Sequence, residues 1–268
     1  MQFEEPAPAK INLALAIRGK LPDGRHDLET IFAFCTDGDS LAAEAADEIT
    51  LQVRGPFAAE LGNGDDNLVT RAATALRERA GVDQGATLVL IKNLPVASGL
   101  GGGSADAAAA LRLLTRLWKI DPAHASAVAP VLGSDVPACL LSLPARGEGA
   151  GDQLTPVDLG TLSGAPTLLV NPRVQLSTPE VFANWSGEPS GPLGDWEHAG
   201  NDLEEPATRL VPLIGAVLAW LSAQPGTSLV RMSGSGASCF AIFESEEARD
   251  NAEIAVPREW WRLATYLR

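Results

Sequence analysis

The sequence predicts an α+β fold in two lobes, and three observations predict it. Residues 9–17 alternate strictly between aliphatic and other side chains, the period of a strand. Helical patterns follow strand-like runs without the regular β-α-β alternation of a parallel sheet. The composition shifts after residue 144 toward Gly, Pro and Trp. That shift places a boundary near 145–160 and divides the chain into lobes 1–150 and 151–268.

The elements follow in order. Ile11, Leu13, Leu15 and Ile17 share one strand face, with Lys10, Asn12, Ala14 and Ala16 opposite, so one buried face is expected. Pro22-Asp23-Gly24 is a turn. Ile31–Phe34 and Glu48–Val53 read as further strands. Asn67–Arg79 has helical spacing at Leu68, Ala72, Ala75 and Leu76, with Asp66 as N-cap. Ala86–Lys92 is a strand leading through 93–103 into a helix, Ala105–Trp118, and a second helix covers Pro122–Leu132. Beyond the glycines of 146–151, a strand is expected at Thr167–Val170 and a long loop after it. A helix over Leu203–Leu221, interrupted near Pro206 and Pro212, comes next. A hairpin (Ser228–Phe243), a helix (Glu246–Ala255) and a last strand (Trp260–Leu267) close the chain.

The 268 residues are long enough to bury a sizeable core. The formal net charge is −14, with −6 in residues 1–150 and −8 in 151–268. Neither half offers the basic surface of a nucleic-acid binder, and an anionic membrane is disfavoured for the same reason. Cys35, Cys139 and Cys239 are too few and too far apart for a disulfide framework or a structural zinc site. The acidic start lacks a secretory h-region, so a cytoplasmic protein is expected. No obligate protein partner is inferred.

The most informative segment is Leu94-Pro95-Val96-Ala97-Ser98-Gly99-Leu100-Gly101-Gly102-Gly103-Ser104-Ala105. Four glycines between a strand and a helix let backbone N–H groups turn toward an anion. The helix start adds unpaired N–H groups and the positive dipole end, which makes a phosphate cradle. No Gly-Lys-Ser/Thr follows, so it is not a Walker A loop, and the spacing does not fit a dinucleotide fingerprint. A flexible linker or tight turn is the bland alternative, although a tight turn needs only one or two glycines.

Pro95-(x3)-Gly99-Leu100-Gly101-Gly102-Gly103-Ser104 resembles the second motif of the galactokinase, homoserine kinase, mevalonate kinase and phosphomevalonate kinase (GHMP) superfamily. Its triple glycine is the form of the 4-diphosphocytidyl-2-C-methyl-D-erythritol kinase family. Four further segments agree in order with that family: Ala7-Pro8-Ala9-Lys10-Ile11-Asn12-Leu13, Asp23-Gly24-Arg25-His26, Leu132-Gly133-Ser134-Asp135-Val136-Pro137 and Met232-Ser233-Gly234-Ser235-Gly236-Ala237-Ser238. The resemblance implies the GHMP-kinase fold, with the active site between the lobes. It implies phosphorylation of the 2-hydroxyl of 4-diphosphocytidyl-2-C-methyl-D-erythritol by ATP, in the non-mevalonate route to isoprenoids. A GHMP-type kinase of mevalonate, homoserine or a sugar stays as an alternative, as does a non-catalytic nucleotide-binding module.

By the same resemblance, Asp135 is the catalytic aspartate that takes a hydrogen bond from the attacking hydroxyl. Lys10 offsets charge on the alkoxide and the transferring phosphoryl group. Read alone, these are a turn aspartate and a lysine on a solvated strand face. Residues 95–105 would bind ATP. Asn12, Arg25, His26, Thr178 and Phe182 would bind the substrate, with His26 and Phe182 at the cytosine ring. Ser233, Gly234, Ser235 and Gly236 would form the loop that packs on the phosphate loop, although a plain glycine hairpin explains them too. Asn201-Asp202-Leu203-Glu204 reads as a helix start with Asp202 or Asn201 as N-cap. Two positions depart from the family: Arg25 replaces a stacking tyrosine, and Ala105 replaces a second loop serine. Mg2+ is expected as the ATP complex. Its protein ligands stay open, with Ser104 the candidate hydroxyl.

Overall fold

A computed structural model describes residues 3–61, 66–194 and 196–268. The fold is α+β, in two compact units drawn from interleaved stretches of chain. The first unit comprises 1–9, 37–96 and 101–142, and the second 10–36, 97–100 and 143–268. A single cut at residue 150 does not describe this division, because two long strands run through both units. These are β1 (Phe3–Lys20) and β2 (His26–Ala46), which pair with each other.

In the first unit, β3 (Ile49–Arg54) pairs in parallel with β4 (Gly85–Ile91), and β4 pairs antiparallel with Ser40–Ala46 of β2. Helices α1 (Leu68–Ala80), α2 (Gly102–Trp118), α3 (Pro122–Leu132) and α4 (Val136–Leu141) pack on one another. Helix α2 is buried nearly all round, as its run of Ala107–Ala110 followed by Leu111, Leu113 and Leu114 dictates. Its start lies three residues earlier than the sequence reading placed it, so Gly102 and Gly103 are already helical. The cap of α1 is Asn67, not Asp66; the Asn67 Oδ1 accepts the Val69 N–H at 2.8 Å.

In the second unit, residues 28–32 of β2 pair antiparallel with β5 (Ala145–Gly149), which pairs with β6 (Gln153–Pro156). The glycines of 146–151, near the expected boundary, therefore lie in a hairpin. A four-stranded antiparallel sheet has the order β10 (Trp261–Tyr266), β7 (Pro166–Asn171), β9 (Cys239–Phe243), β8 (Thr227–Met232). Its cover includes α7 (Pro212–Ser222) and α8 (Glu246–Ala255). The short helices α5 (Thr178–Ala183) and α6 (Glu204–Leu210) complete the unit. The chain breaks at Pro212 alone. Pro206 sits in the first turn of α6, where a missing N–H costs nothing. Leu15, Ile17, Leu168, Val170, Ile214, Val217, Met232 and Phe243 are among the residues of this unit's core. Cys35, Cys139 and Cys239 are all buried thiols, none in a disulfide. Among the described residues, no helix is long and apolar enough to cross a membrane.

Candidate active site

Strand β1 carries the first site residues, and its polar face is not solvated. Lys10 and Asn12 are each only 3% exposed. Burial on this scale requires satisfied polar atoms, and they are satisfied in series. Lys10 Nζ donates to Asn12 Oδ1 at 3.0 Å, Asn12 Nδ2 to Thr30 Oγ1 at 2.9 Å, and Thr30 Oγ1 to the Ala14 carbonyl at 2.6 Å. The ammonium also lies 5.4 Å from the centre of the Phe32 ring, a cation–π distance. Lys10 is thus held by both neighbours and charge, in one orientation.

The glycine loop crosses between the units at 96/97 and 100/101. Its 97–100 stretch is pinned within the second unit. The Lys10 N–H donates to the Leu100 carbonyl at 2.9 Å, and the Ser238 N–H donates to the Ser98 carbonyl at 3.0 Å. Ser233 Oγ donates to the Gly99 carbonyl at 2.8 Å and accepts the Asn12 N–H at 3.3 Å. Gly99 has φ +80°, and a Cβ there would sit 2.7 Å from the Gly236 carbonyl oxygen and closer still to that of Ser233. The third motif therefore seats on the glycine loop through backbone contact. The Ser98 hydroxyl is buried without a hydrogen-bond partner among the described residues. The stretch 101–105 belongs to the first unit, where Gly101 (φ +63°) is the N-cap of α2 and, among the described residues, no side-chain cap hydrogen bond is made there. Pro95 is buried, and Val96 is half-buried just before the first crossing.

Two residues outside the motifs support this geometry. Asn201 stands two residues before the N-cap position of α6, Leu203, and its Oδ1 accepts the Leu203 N–H at 3.0 Å as a capping side chain does. Its Nδ2 also donates to the carbonyls of Met232 at 2.9 Å and Gly234 at 2.8 Å, bracing the third motif. Asp202 turns elsewhere; its Oδ2 accepts the Ile17 N–H at 2.7 Å.

Asp135 lies in the first unit, at the N-cap position of α4, half-buried, with αR backbone. It is thus a turn aspartate at the start of a helix: the Val136 N–H closes the turn on the Gly133 carbonyl at 3.2 Å.

The residues expected at the base come together in part. His26 and Phe182 stack directly, with ring centroids 4.5 Å apart and planes 27° apart. Trp185, unmarked in the sequence, meets His26 edge-on at 5.8 Å. Burial, then the Lys20 charge, lowers the His26 pKa below its usual value. Thr178 Oγ1 and Ser235 Oγ are hydrogen-bonded at 2.7 Å, which links the start of α5 to the third motif. Arg25 is exposed; its guanidinium bonds Asp23 at 2.8 Å and lies 3.6 Å from Asp152. The Arg25 backbone N–H and then its side chain hold Asp23 below the usual carboxylate range.

The fold and these segments have counterparts in known proteins. The model for GHMP kinases N terminal domain matches residues 67–142, and that for GHMP kinases C terminal matches 191–262. A 4-diphosphocytidyl-2-C-methyl-D-erythritol kinase of Rhizorhabdus wittichii is 51% identical, covering 100% of this chain and 96% of that protein. One of Hyphomonas neptunium is 47% identical, covering 97% and 95%. A crystal structure of 4-(cytidine 5'-diphospho)-2C-methyl-D-erythritol kinase superposes with a TM-score of 0.83 at 33% identity, covering 99% of both chains. A homoserine kinase from Cytophaga hutchinsonii, at 17% identity and a TM-score of 0.72, shares the fold. Matched from end to end in sequence and in structure, the chain belongs to the 4-diphosphocytidyl-2-C-methyl-D-erythritol kinase family of GHMP kinases.

Proposed function

We propose that this chain transfers the γ-phosphoryl group of ATP to the 2-hydroxyl of 4-diphosphocytidyl-2-C-methyl-D-erythritol, a step in the non-mevalonate route to isoprenoids. The reading is carried by the glycine turn that opens on the bare first turn of α2, in a chain that kinases of that name match over its whole length. Residues 95–105 take the phosphates, because uncovered N–H groups at a helix start meet phosphate oxygens with their partial positive charge.

The hydroxyl oxygen attacks the γ-phosphorus, the bond to the β,γ-bridging oxygen breaks, and ADP leaves with that electron pair. The hydroxyl proton passes to the Asp135 carboxylate. Such a transfer asks mainly for positioning and charge stabilisation. Asp135 orients the hydroxyl, and Lys10, fixed by Asn12 and Phe32, offsets the charge that develops. His26, Phe182 and Trp185 supply an aromatic platform for the base, and Asn12, Thr178 and Arg25 are assigned to the rest of the substrate. Among the described residues no three or more His, Cys, Asp or Glu are grouped as a resident metal site. Mg2+ is assigned to the ATP complex, where it would neutralise phosphate charge, and Ser104 Oγ in the first turn of α2 is the hydroxyl of that motif that would hold it.

The test is ADP release with the diphosphocytidyl substrate, with mevalonate and homoserine as controls. Release only with the diphosphocytidyl alcohol is the expected result. ATP binding without release would mean a non-catalytic module, and release with a control alcohol would mean a different substrate.

A further inference from the structure

Beneath the start of α2 lies a cluster of three charged groups that the reaction above does not use. Lys92, just past the end of β4, is 1% exposed. Its ammonium donates to Asp39 Oδ2 at 2.5 Å and to Asp106 Oδ2 at 2.7 Å. Asp39 and Asp106 are themselves 3% and 2% exposed. Lone buried charges are costly, so three together are held only by mutual pairing and hydrogen bonds.

The cluster touches both ends of the glycine loop. Asp39 Oδ1 accepts the backbone N–H of Asn93 at 2.5 Å and of Leu94 at 2.8 Å, immediately before Pro95. Asp106 stands in the second turn of α2, immediately after Ala105. A Cβ on Gly102 would meet Lys92 Nζ at 2.9 Å and Asp39 Oδ2 at 3.5 Å, so the ammonium lies directly under the first residue of the helix. One ion cluster therefore fixes the residues where the chain leaves the first unit for 97–100 and where it returns.

We propose that Lys92, Asp39 and Asp106 are positioning residues for the phosphate loop: they hold residues 93–94 and the start of α2 in the arrangement that ATP phosphates require, without touching ATP. The charge state agrees with a paired cluster. Burial drives the Asp106 pKa up to about 7, opposed by Lys92 and reinforced by Asp39. Burial alone would lower Lys92, but the two carboxylates outweigh it and the ammonium is favoured. Asp106 Oδ1 has no hydrogen-bond partner among the described residues and is the oxygen on which a proton would leave the cluster neutral.

This inference rests on the reading that ATP occupies the loop. The experiment compares the wild type with Asp106→Ala and Asp106→Asn. Removing Asp106 leaves Lys92 paired with Asp39, so no uncompensated charge is created and folding is expected to survive. Separate KM values for ATP and for the diphosphocytidyl alcohol are measured, with ATP affinity by calorimetry and thermal melting. Asp106→Ala is expected to raise the KM and Kd for ATP at least ~10-fold, while the KM for the alcohol stays within ~2-fold. Asp106→Asn keeps an acceptor for Lys92 and is expected to recover ATP affinity to within ~3-fold of wild type. An unchanged KM for ATP in Asp106→Ala would overturn the proposal, as would equal loss for both substrates in step with a lower melting point. If Asp106→Ala does not fold, failure of the folded Asp106→Asn to bind ATP near the wild-type level overturns it. A wild type that binds no ATP would instead refute the kinase reading itself.

Discussion

Gly99→Ala probes the seat of the third motif on the phosphate loop. At φ +80° an alanine pays the left-handed cost of roughly 1–2 kcal/mol. Its Cβ would also lie 2.7 Å from the Gly236 carbonyl oxygen and nearer to that of Ser233, two backbone atoms with no flexible side chain to swing aside. Forcing a methyl into packed surroundings costs roughly 1–3 kcal/mol more. The Ser233–Gly99 hydrogen bond is stretched by the same movement. The sum is about 2–5 kcal/mol, which in a chain of this size corresponds to a fall in Tm of roughly 4–10 °C. Differential scanning calorimetry reads that term, and titration with ATP reads the displacement of the loop as a weaker Kd. A variant that melts within ~1 °C of wild type with unchanged ATP affinity would show that the contact is not made and that the third motif is only a hairpin turn.

Three further outcomes are expected. Asp135→Asn and Lys10→Ala each lower kcat at least ~100-fold with little change in ATP affinity, as groups acting on the transition state do; an Asp135→Asn enzyme retaining half its rate would remove Asp135 from the chemistry. Arg25→Ala leaves Tm almost unchanged, because its ion pair with Asp23 is exposed, and raises the KM for the diphosphocytidyl substrate ~10-fold, about 1.4 kcal/mol; an unchanged KM would leave Arg25 a surface residue. Asp106 titrates near 7 in the folded chain and near 3.8 when unfolded, so the folded chain binds more protons between those values and this group's contribution to stability falls as pH rises across them. Urea unfolding of Asp106→Asn should therefore gain on the wild type between pH 5 and pH 8, and parallel pH profiles would contradict the assignment.

The motifs were legible because each is a local run of backbone-permissive or small residues, and residues 95–105 lead from β4 into α2 through positive-φ glycines at 99 and 101. What alternation in β1 could not reveal is that Lys10 and Asn12 are buried as deeply as Ile11, because their partners Thr30 and Phe32 come from another strand. The Asp39–Lys92–Asp106 cluster was invisible for the same reason: its members are 53 and 14 positions apart, and no spacing rule joins them. The β5–β6 hairpin was hidden by its glycines, which fall in the composition shift that marks the expected boundary. Gly147 is in fact where the ring of Phe32 lies against the strand, since a Cβ there would lie 2.6 Å from Phe32 Cε2. Asn201 was legible as a helix-start residue, since its Oδ1 takes the Leu203 N–H, but not as a brace, because Met232 and Gly234 lie far along the chain. Trp185 lacked any local pattern to single it out.

The three buried thiols give the molecule a chemical clock. A thiol closed off from solvent is silent toward an aqueous disulfide reagent until the chain around it opens, and burial raises the Cys239 pKa far enough to suppress the reactive thiolate as well. Cys139 belongs to the first unit, and Cys35 and Cys239 to the second. Labelling followed by peptide mass spectrometry thus times the opening of each unit separately in native buffer. A nucleotide that ties the glycine loop down should slow whichever of these clocks runs on the loop's own motion.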